Sequence, residues 1–286
     1  MPTHALPAAL EKESALVDWL RSRGSVLVGF SGGVDSAYLA CVALEALGPE
    51  RVLAVIGRSA SYPLEQWSMA REVAGRFGVP VLEIDTDELH DPRYAANPSN
   101  RCYFCKTELW TRLVPVAAAR GLAVVVDGTN ADDLRAHRPG KGAAAEHGVR
   151  SPLAELGFTK DEIRVLSRER DIPTWSQPSS PCLASRIPYG TAVTPVRLGK
   201  IERAERALRA IGVTGDLRVR YFGASARVEF SLAEIGRWLT DDGRRAVRAA
   251  VTAAGFDAVE LDLRGFRSGS LERANELPLV EPLGAS

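Results

Sequence analysis

A doubly wound parallel α/β sheet followed by a smaller α+β domain is the fold class this sequence predicts, and three observations predict it. The hexapeptide Ser31-Gly32-Gly33-Val34-Asp35-Ser36 stands between an apolar run at 26–30 and a helix-forming run at 37–44, the order of strand, glycine-rich turn and helix. Further apolar runs at 52–56, 79–84 and 122–126 lack the alternation of half-exposed strands, and helix-periodic stretches separate them. After Tyr189-Gly190 the pattern changes to alternating strands among helices.

Taken in order, residues 8–23 form an amphipathic helix with Leu10, Ala15, Leu16 and Leu20 on one side. The helix that starts at Val34 stops at Leu47-Gly48-Pro49. Strand 52–56 leads through a loop at 57–61 to a helix at 64–77 and a third strand at 79–84. Residues 86–101 read as a loop, 103–120 as a helix and 122–126 as the fourth strand. Asp127-Gly128-Thr129-Asn130-Ala131-Asp132-Asp133 follows it. Residues 138–148 read as a mobile segment able to cover a site at the strand ends, or as a plain surface loop. Thr159 and Glu162 form a capping box for a helix at 159–170. The Ser/Pro-rich stretch 176–181 reads as the junction between domains at 1–180 and 181–286. In the second domain come a helix at 195–211, a hairpin of strands 217–222 and 226–230, and a helix from Ser231 to about residue 254. That helix is broken near Asp241-Asp242-Gly243, and a last strand spans 259–263.

The hexapeptide has its own chemistry. Adjacent glycines let the backbone turn with its N–H groups inward, where a side chain would block an anion. The next helix adds unpaired N–H groups and its positive dipole end, and Ser31 and Ser36 add hydroxyls, which makes a phosphate cradle. No Gly-Lys-Ser/Thr closes it and the G-x-G-x-x-G spacing is absent, so it is neither a Walker A loop nor a dinucleotide fingerprint.

Length and composition, 286 residues with 45% hydrophobic and 25% charged, fit a globular chain of two domains. Lys plus Arg equals Asp plus Glu at 36 each, so no overall basic field draws in a polyanion such as tRNA. Residues 1–10 lack the features of a signal peptide, and no run approaches ~18 apolar residues, so a cytoplasmic protein without a membrane span is expected.

Four cysteines stand at 41, 102, 105 and 182. Cys41, among Leu and Ala in mid-helix, reads as core. Cys102 and Cys105 are a Cys-x-x-Cys pair, able to chelate one metal or cluster at a helix start, and Cys182 is a third ligand that leaves one position open. Zinc held by Cys102, Cys105, Cys182 and a histidine such as His90, a redox dithiol, and inert core thiols are the other readings. Arg218 and Arg220, two apart on a strand, share one face roughly 6.5 Å apart, suiting them to a phosphate or carboxylate; a cross-strand salt bridge to Glu229 is the structural alternative. Arg186 and Lys106, beside cysteines, are further substrate candidates. Arg197, Lys200, Arg203 and Arg206, interleaved with Glu202 and Glu205, read as a solvated helix face.

The hexapeptide resembles the PP-loop of ATP pyrophosphatases. With Asn100-Arg101-Cys102-Tyr103-Phe104-Cys105-Lys106, Asp127-Gly128-Thr129-Asn130, Cys182-Leu183-Ala184-Ser185-Arg186-Ile187-Pro188-Tyr189-Gly190, Arg218-Val219-Arg220 and Gly265-Phe266-Arg267-Ser268-Gly269-Ser270 in order, nearly the whole chain resembles the LarE family of ATP-dependent sulfur transferases. That resemblance implies adenylation of a carboxylate of a pyridinium dicarboxylate mononucleotide and its conversion to a thiocarboxylate, in synthesis of the nickel-pincer cofactor. ATP would lie on Ser31, Gly32, Gly33, Val34, Asp35 and Ser36, with Asp35 on Mg2+, adenine near Arg58 and Ser59, and Gly128 and Thr129 closing the nucleotide site. Some members of the family spend one cysteine, at the place of Cys182; others hold a 4Fe-4S cluster on three. Having all three, this chain resembles the cluster type, with Cys102, Cys105 and Cys182 as ligands. A sulfide donor, other pincer-cofactor biosynthesis proteins and a homo-oligomer are the implied partners. A cluster-dependent tRNA thiolase, an amide-forming synthetase and a nucleotide sensor are the rival functions.

Overall fold

The computed structural model describes residues 5–135, 140–178, 181–267, 269, 271 and 279–283. The chain divides into two compact units, 1–94 with 100–180, and 95–99 with 181–286.

In the first unit β1 (Val26–Gly29), β2 (Val52–Arg58), β3 (Val81–Asp85) and β4 (Val124–Val126) form one sheet in the order β3-β2-β1-β4, every pair parallel. The chain winds from β1 outward to β3, then returns to the other side of β1 for β4. The switch point lies between β1 and β4, and both strands run straight into motif loops there. Successive residues of β1 enter different cores, which is why the run does not alternate in polarity. Val26 and Val28 pack with α1 (Ala5–Arg23), α2 (Val34–Leu47) and α3 (Leu64–Phe77). Leu27 packs on the opposite face with Trp110 and Leu113. Those two belong to α5 (Arg101–Ala119), which follows the single turn α4 (Pro92–Ala95). After β4 come α6 (Ala131–Arg135), α7 (Gly140–Glu146), α8 (Pro152–Glu155) and α9 (Lys160–Glu169).

Several predicted boundaries move, each for a local reason. In α1 the buried stripe is Ala9, Leu16 and Leu20; Leu10 and Ala15 lie off it and are exposed. The third strand starts at Val81, because Gly78 turns left-handed (φ 69°) and Val79 N–H closes α3 on Ala74 O. The fourth starts at Val124 for the same reason: Gly121 has φ 65° and Leu122 N–H bonds Ala117 O. Instead of a loop, 140–146 is helix α7, and its Ala143 and Ala144 are buried in the core beneath α5. Arg138 and Pro139 of the expected mobile segment lie outside the described residues.

The second unit carries a mixed sheet in the order β5-β6-β7-β8, made of β5 (Leu217–Phe222), β6 (Ser225–Phe230), β7 (Ala258–Asp262) and β8 (Val280–Pro282). β5 and β6 are the expected hairpin, β6 and β7 run parallel, and β8 is a strand that the sequence pattern did not reveal. α10 (Pro195–Ala210) packs on β5. The long expected helix is two, α11 (Leu232–Trp238) and α12 (Asp241–Ala253), broken at Leu239-Thr240, where Thr240 caps the second by accepting from Gly243 N–H. Residues 95–99 join this unit through buried Asn97, whose Nδ2 donates to the carbonyls of Ile187, Pro188 and Thr191. Ser179, Ser180, Ser268 and Ser270 lie outside the described residues. Among the described residues no helix is long and apolar enough to cross a membrane.

Candidate active site

At the switch point, the carboxyl end of β1 opens into the cradle. Gly32 has φ 70°, a conformation that strains any residue with a Cβ. Gly33 caps α2 with no side-chain hydrogen bond to the helix end, so the first N–H groups of α2 are left for a ligand. A Cβ on Gly33 would meet only Ser31 Oγ, at 3.6 Å, and otherwise open space. The two serines staple the loop: Ser36 Oγ donates to Gly33 O at 3.1 Å and accepts from Ser31 N–H at 3.2 Å, and the two hydroxyls lie 3.1 Å apart.

The loop after β4 is the other wall. A Cβ on Gly128 would stand 2.8 Å from Ser36 N and 3.1 Å from Asp35 C, so only glycine allows this approach. Asp127 organises the turn by accepting from Thr129 N–H, Thr129 Oγ1 and Ser151 Oγ. Asn130, buried, caps α6 by accepting from Asp132 and Asp133 N–H, which fixes its amide so that Nδ2 donates to Asp35 Oδ1 at 3.3 Å. Lys160 Nζ stands 2.5 Å from Asp35 Oδ2, and Lys160 N–H donates to Asp132 Oδ2. Asp35 is thus gripped on both oxygens. The sequence reading missed Lys160. A lysine in the first turn of a helix opposes the dipole there, and that misfit was the available signal. Thr159 and Glu162 do form the expected capping box, and Lys12 pairs with Glu162.

The last residue of β2, Arg58, expected in the loop, is half exposed and paired with Glu83 and Asp85. Ser59 Oγ accepts from Ser61 N–H. Despite its partial desolvation Glu83 stays below its ordinary pKa, because Trp67, Arg58 and Arg71 all donate to it.

In the second unit Arg218, Arg220, Glu229 and Arg227 share one face of the β5–β6 pair. Arg220 takes the structural alternative: its guanidinium pairs with Glu229 at 2.7 Å, both buried, and donates to Ser185 O. Arg218 lies over the Phe266 ring at 4.6 Å. Burial, then the nearby Arg186 charge, pushes its pKa down to about 10. Arg186 is buried, pairs with Glu205 at 2.9 Å and donates to the carbonyls of Pro181 and Cys182. Glu205 therefore points inward, also accepting from Val219 N–H, and the solvated-face expectation fails for it. Arg197 and Lys200 lie over the Tyr221 and Phe256 rings.

No cysteine is in a disulfide. Cys41 is core, its thiol pushed up to about 12 chiefly by burial. The helix α5 begins at Arg101, two residues before the expected start, so Cys102 lies in its first turn and Cys105 one turn on. The first is exposed and the second half-buried. Lys106 lies over the Trp110 ring at 4.7 Å, and a Cβ on Gly140 would stand 3.0 Å from Lys106 Cγ. Cys182, half-buried, belongs to the second unit, at the entrance to the 3-10 turn Leu183–Arg186. Among the described residues no three His, Cys, Asp or Glu side chains are gathered as a metal site.

Residues 13–110 match the NAD synthase family model. An uncharacterized protein of Synechocystis is 42% identical, over 86% of this chain and 91% of the relative. The pyridinium-3,5-bisthiocarboxylic acid mononucleotide synthase of Lactiplantibacillus plantarum is 36% identical, over 91% of this chain and 93% of the relative. An NH(3)-dependent NAD(+) synthetase of Pyrobaculum aerophilum is 43% identical, over 24% of this chain and 26% of its own.

Proposed function

The chain belongs to the LarE family of ATP-dependent sulfur transferases, and from that premise we propose that it adenylates a carboxylate of a pyridinium dicarboxylate mononucleotide and replaces a carboxylate oxygen with sulfur, on the way to the nickel-pincer cofactor. The observation that carries the first half is the cradle at the β1/β4 switch point, open above Gly33 and closed behind by glycine-only contacts at Gly32 and Gly128. The NAD synthase match covers the cradle and, of the second unit, only residues 95–99, so it supports adenylation without naming the nucleophile.

ATP lays its β- and γ-phosphates on the N–H groups of Gly32, Gly33, Val34, Asp35 and Ser36. Lys160 offsets phosphate charge, and adenosine lies toward Arg58 and Ser59, with Gly128 and Thr129 closing the nucleotide site. Asp35 is the hard oxygen ligand that suits Mg2+ there, and the ion would offset further charge on the leaving group. A substrate carboxylate oxygen attacks the α-phosphorus, the bond to pyrophosphate breaks, and an acyl-adenylate forms. Sulfur then attacks the acyl carbon and the C–O bond to AMP breaks, leaving a thiocarboxylate. In the second unit Arg218 binds the mononucleotide's phosphate, and Arg220 and Arg186, already paired with Glu229 and Glu205, add positive charge near it. Lys106 is a further candidate cation on the first unit.

Cys102, Cys105 and Cys182 suit a 4Fe-4S cluster in kind: three thiols outside any disulfide, none fully buried, two of them one turn apart near the start of α5 and the third at the cap of a 3-10 turn. A bound cluster would supply sulfide that stays deprotonated near neutral pH, where a free thiol of pKa ~8.5 does not. A cytoplasmic homo-oligomer, served by a sulfide donor and followed by other pincer-cofactor proteins, completes the proposal.

The test is anaerobic turnover with ATP, Mg2+ and the mononucleotide, with iron and acid-labile sulfide measured on the native chain and on Cys102→Ala. Equimolar AMP and pyrophosphate with a thiocarboxylate product, and loss of iron in the variant, are expected. ADP and phosphate, or turnover dependent on ammonia or tRNA, would overturn the assignment; zinc in place of iron would overturn the cluster alone.

A further inference from the structure

The pyrophosphate cradle is held from behind by side chains that take no part in the chemistry above. The carbonyl of Ser31 accepts from Tyr62 Oη and from Gln66 Nε2, each at 2.8 Å. Two donors use both lone pairs of that oxygen. Gln66 is buried, and among the described residues its Oε1 has no partner, so its amide is set by the bond to Ser31; flipped, it would put oxygen against oxygen. One turn further on, Ala70 backs Gly32: a Cβ on Gly32 would lie 2.5 Å from Ala70 Cβ and 2.6 Å from its Cα. Tyr62, Gln66 and Ala70 recur every four residues, one stripe along α3 and the turn that enters it.

A trans peptide points its C=O and the following N–H in opposite directions. Fixing the Ser31 carbonyl toward α3 therefore fixes the Gly32 N–H away from it. We propose that Tyr62, Gln66 and Ala70 are positioning residues of the cradle, which orient the Ser31–Gly32 peptide so that its N–H meets the leaving pyrophosphate. The inference rests on the adenylation reading above. It predicts a loss in the chemical step, where charge on the leaving group grows, with little effect on capture of the mononucleotide.

Pyrophosphate release is measured on the full chain and on Tyr62→Phe, Gln66→Leu and the double variant, and magnesium pyrophosphate affinity by titration calorimetry. Each single change leaves one donor, so kcat falls about fivefold. The double change frees the carbonyl and costs about a hundredfold, more than the product of the singles. Pyrophosphate affinity falls in the same order, while KM for the mononucleotide stays within about twofold. Ala70→Val, which presses on Gly32 without touching a hydrogen bond, lowers kcat by about tenfold and serves if Gln66→Leu does not fold. A native chain that releases and binds pyrophosphate beside a double variant or Ala70→Val within about twofold of it overturns this inference alone. A native chain that does neither overturns the adenylation reading, and the inference with it.

Discussion

The anion sites proposed for the two units differ in kind. In the first, the partners are backbone N–H groups of the glycine loop and the start of α2, and the ion pair beside them, Lys160 with Asp35, is partly exposed. In the second, the partners are guanidiniums buried as deeply as core residues: Arg186 and Arg220 pair with Glu205 and Glu229, and Arg218 donates to Leu217 O and lies over Phe266. A backbone site fails when shape changes by one methyl group. A buried arginine site fails when its charge balance changes. The contrast teaches that the same ligand chemistry, phosphate, can be met by geometry or by charge, and each leaves a different mutational signature.

The largest effect belongs to the backbone site. Gly128→Ala drives a methyl into Ser36 N and should lower pyrophosphate release by about a hundredfold or more. Gly33→Ala, facing open space, should leave the thermal midpoint unchanged and act only by crowding the anion, read as weaker pyrophosphate binding. Equal loss of thermal stability in the two would break the distinction. Next comes Glu229→Ala. Stranding the Arg220 guanidinium in the interior should cost about 3–5 kcal/mol in denaturant unfolding, whereas Lys160→Met should cost about 1 kcal/mol or less and slow adenylation instead.

Arg218 sharpens the comparison. Its pKa is lowered by burial and then by the Arg186 charge, and its hydrogen bond to Leu217 O and contact with Phe266 offset part of that cost, so Arg218→Met should keep ligand-free stability within about 1 kcal/mol of the native chain. The variant should then gain less thermal stability than the native chain when the mononucleotide is added. The smallest effect is Glu162→Gln. Bonds from Lys12 and Thr159 hold the Glu162 carboxyl below its ordinary range despite desolvation. Its stabilisation is therefore present above the unfolded-state pKa and lost as pH falls through the lower folded value. The variant should be about 1 kcal/mol weaker at neutral pH and equal to the native chain in strong acid, as pH-dependent unfolding would show.

What could be read from the sequence follows the same division. The cradle is local: strand, two glycines and helix are contiguous, and the capping box at Thr159 and Glu162 spans four residues. Partners that come from far along the chain left no pattern. Arg186 finds Glu205 across a turn, the Ser31 carbonyl finds Gln66 on another helix, and Asp35 finds Lys160 after 125 residues. Charge periodicity placed Glu205 on a solvated face because a helix wheel does not show which side meets β5. Boundaries slipped where a left-handed glycine ends a helix, at Gly78 and Gly121, since apolar residues after the cap look like strand until the cap's hydrogen bond is seen. The short strand β8 has no periodicity to read and forms only because β7 offers it an edge.

The central claim is that a substrate carboxylate attacks the α-phosphorus of ATP before sulfur replaces its oxygen. Substrate labelled with oxygen-18 in its carboxylates tests this most directly, with AMP and product read by mass spectrometry. Each thiocarboxylate formed should leave one labelled oxygen in AMP. Unlabelled AMP, or label retained in full by the product, would contradict it.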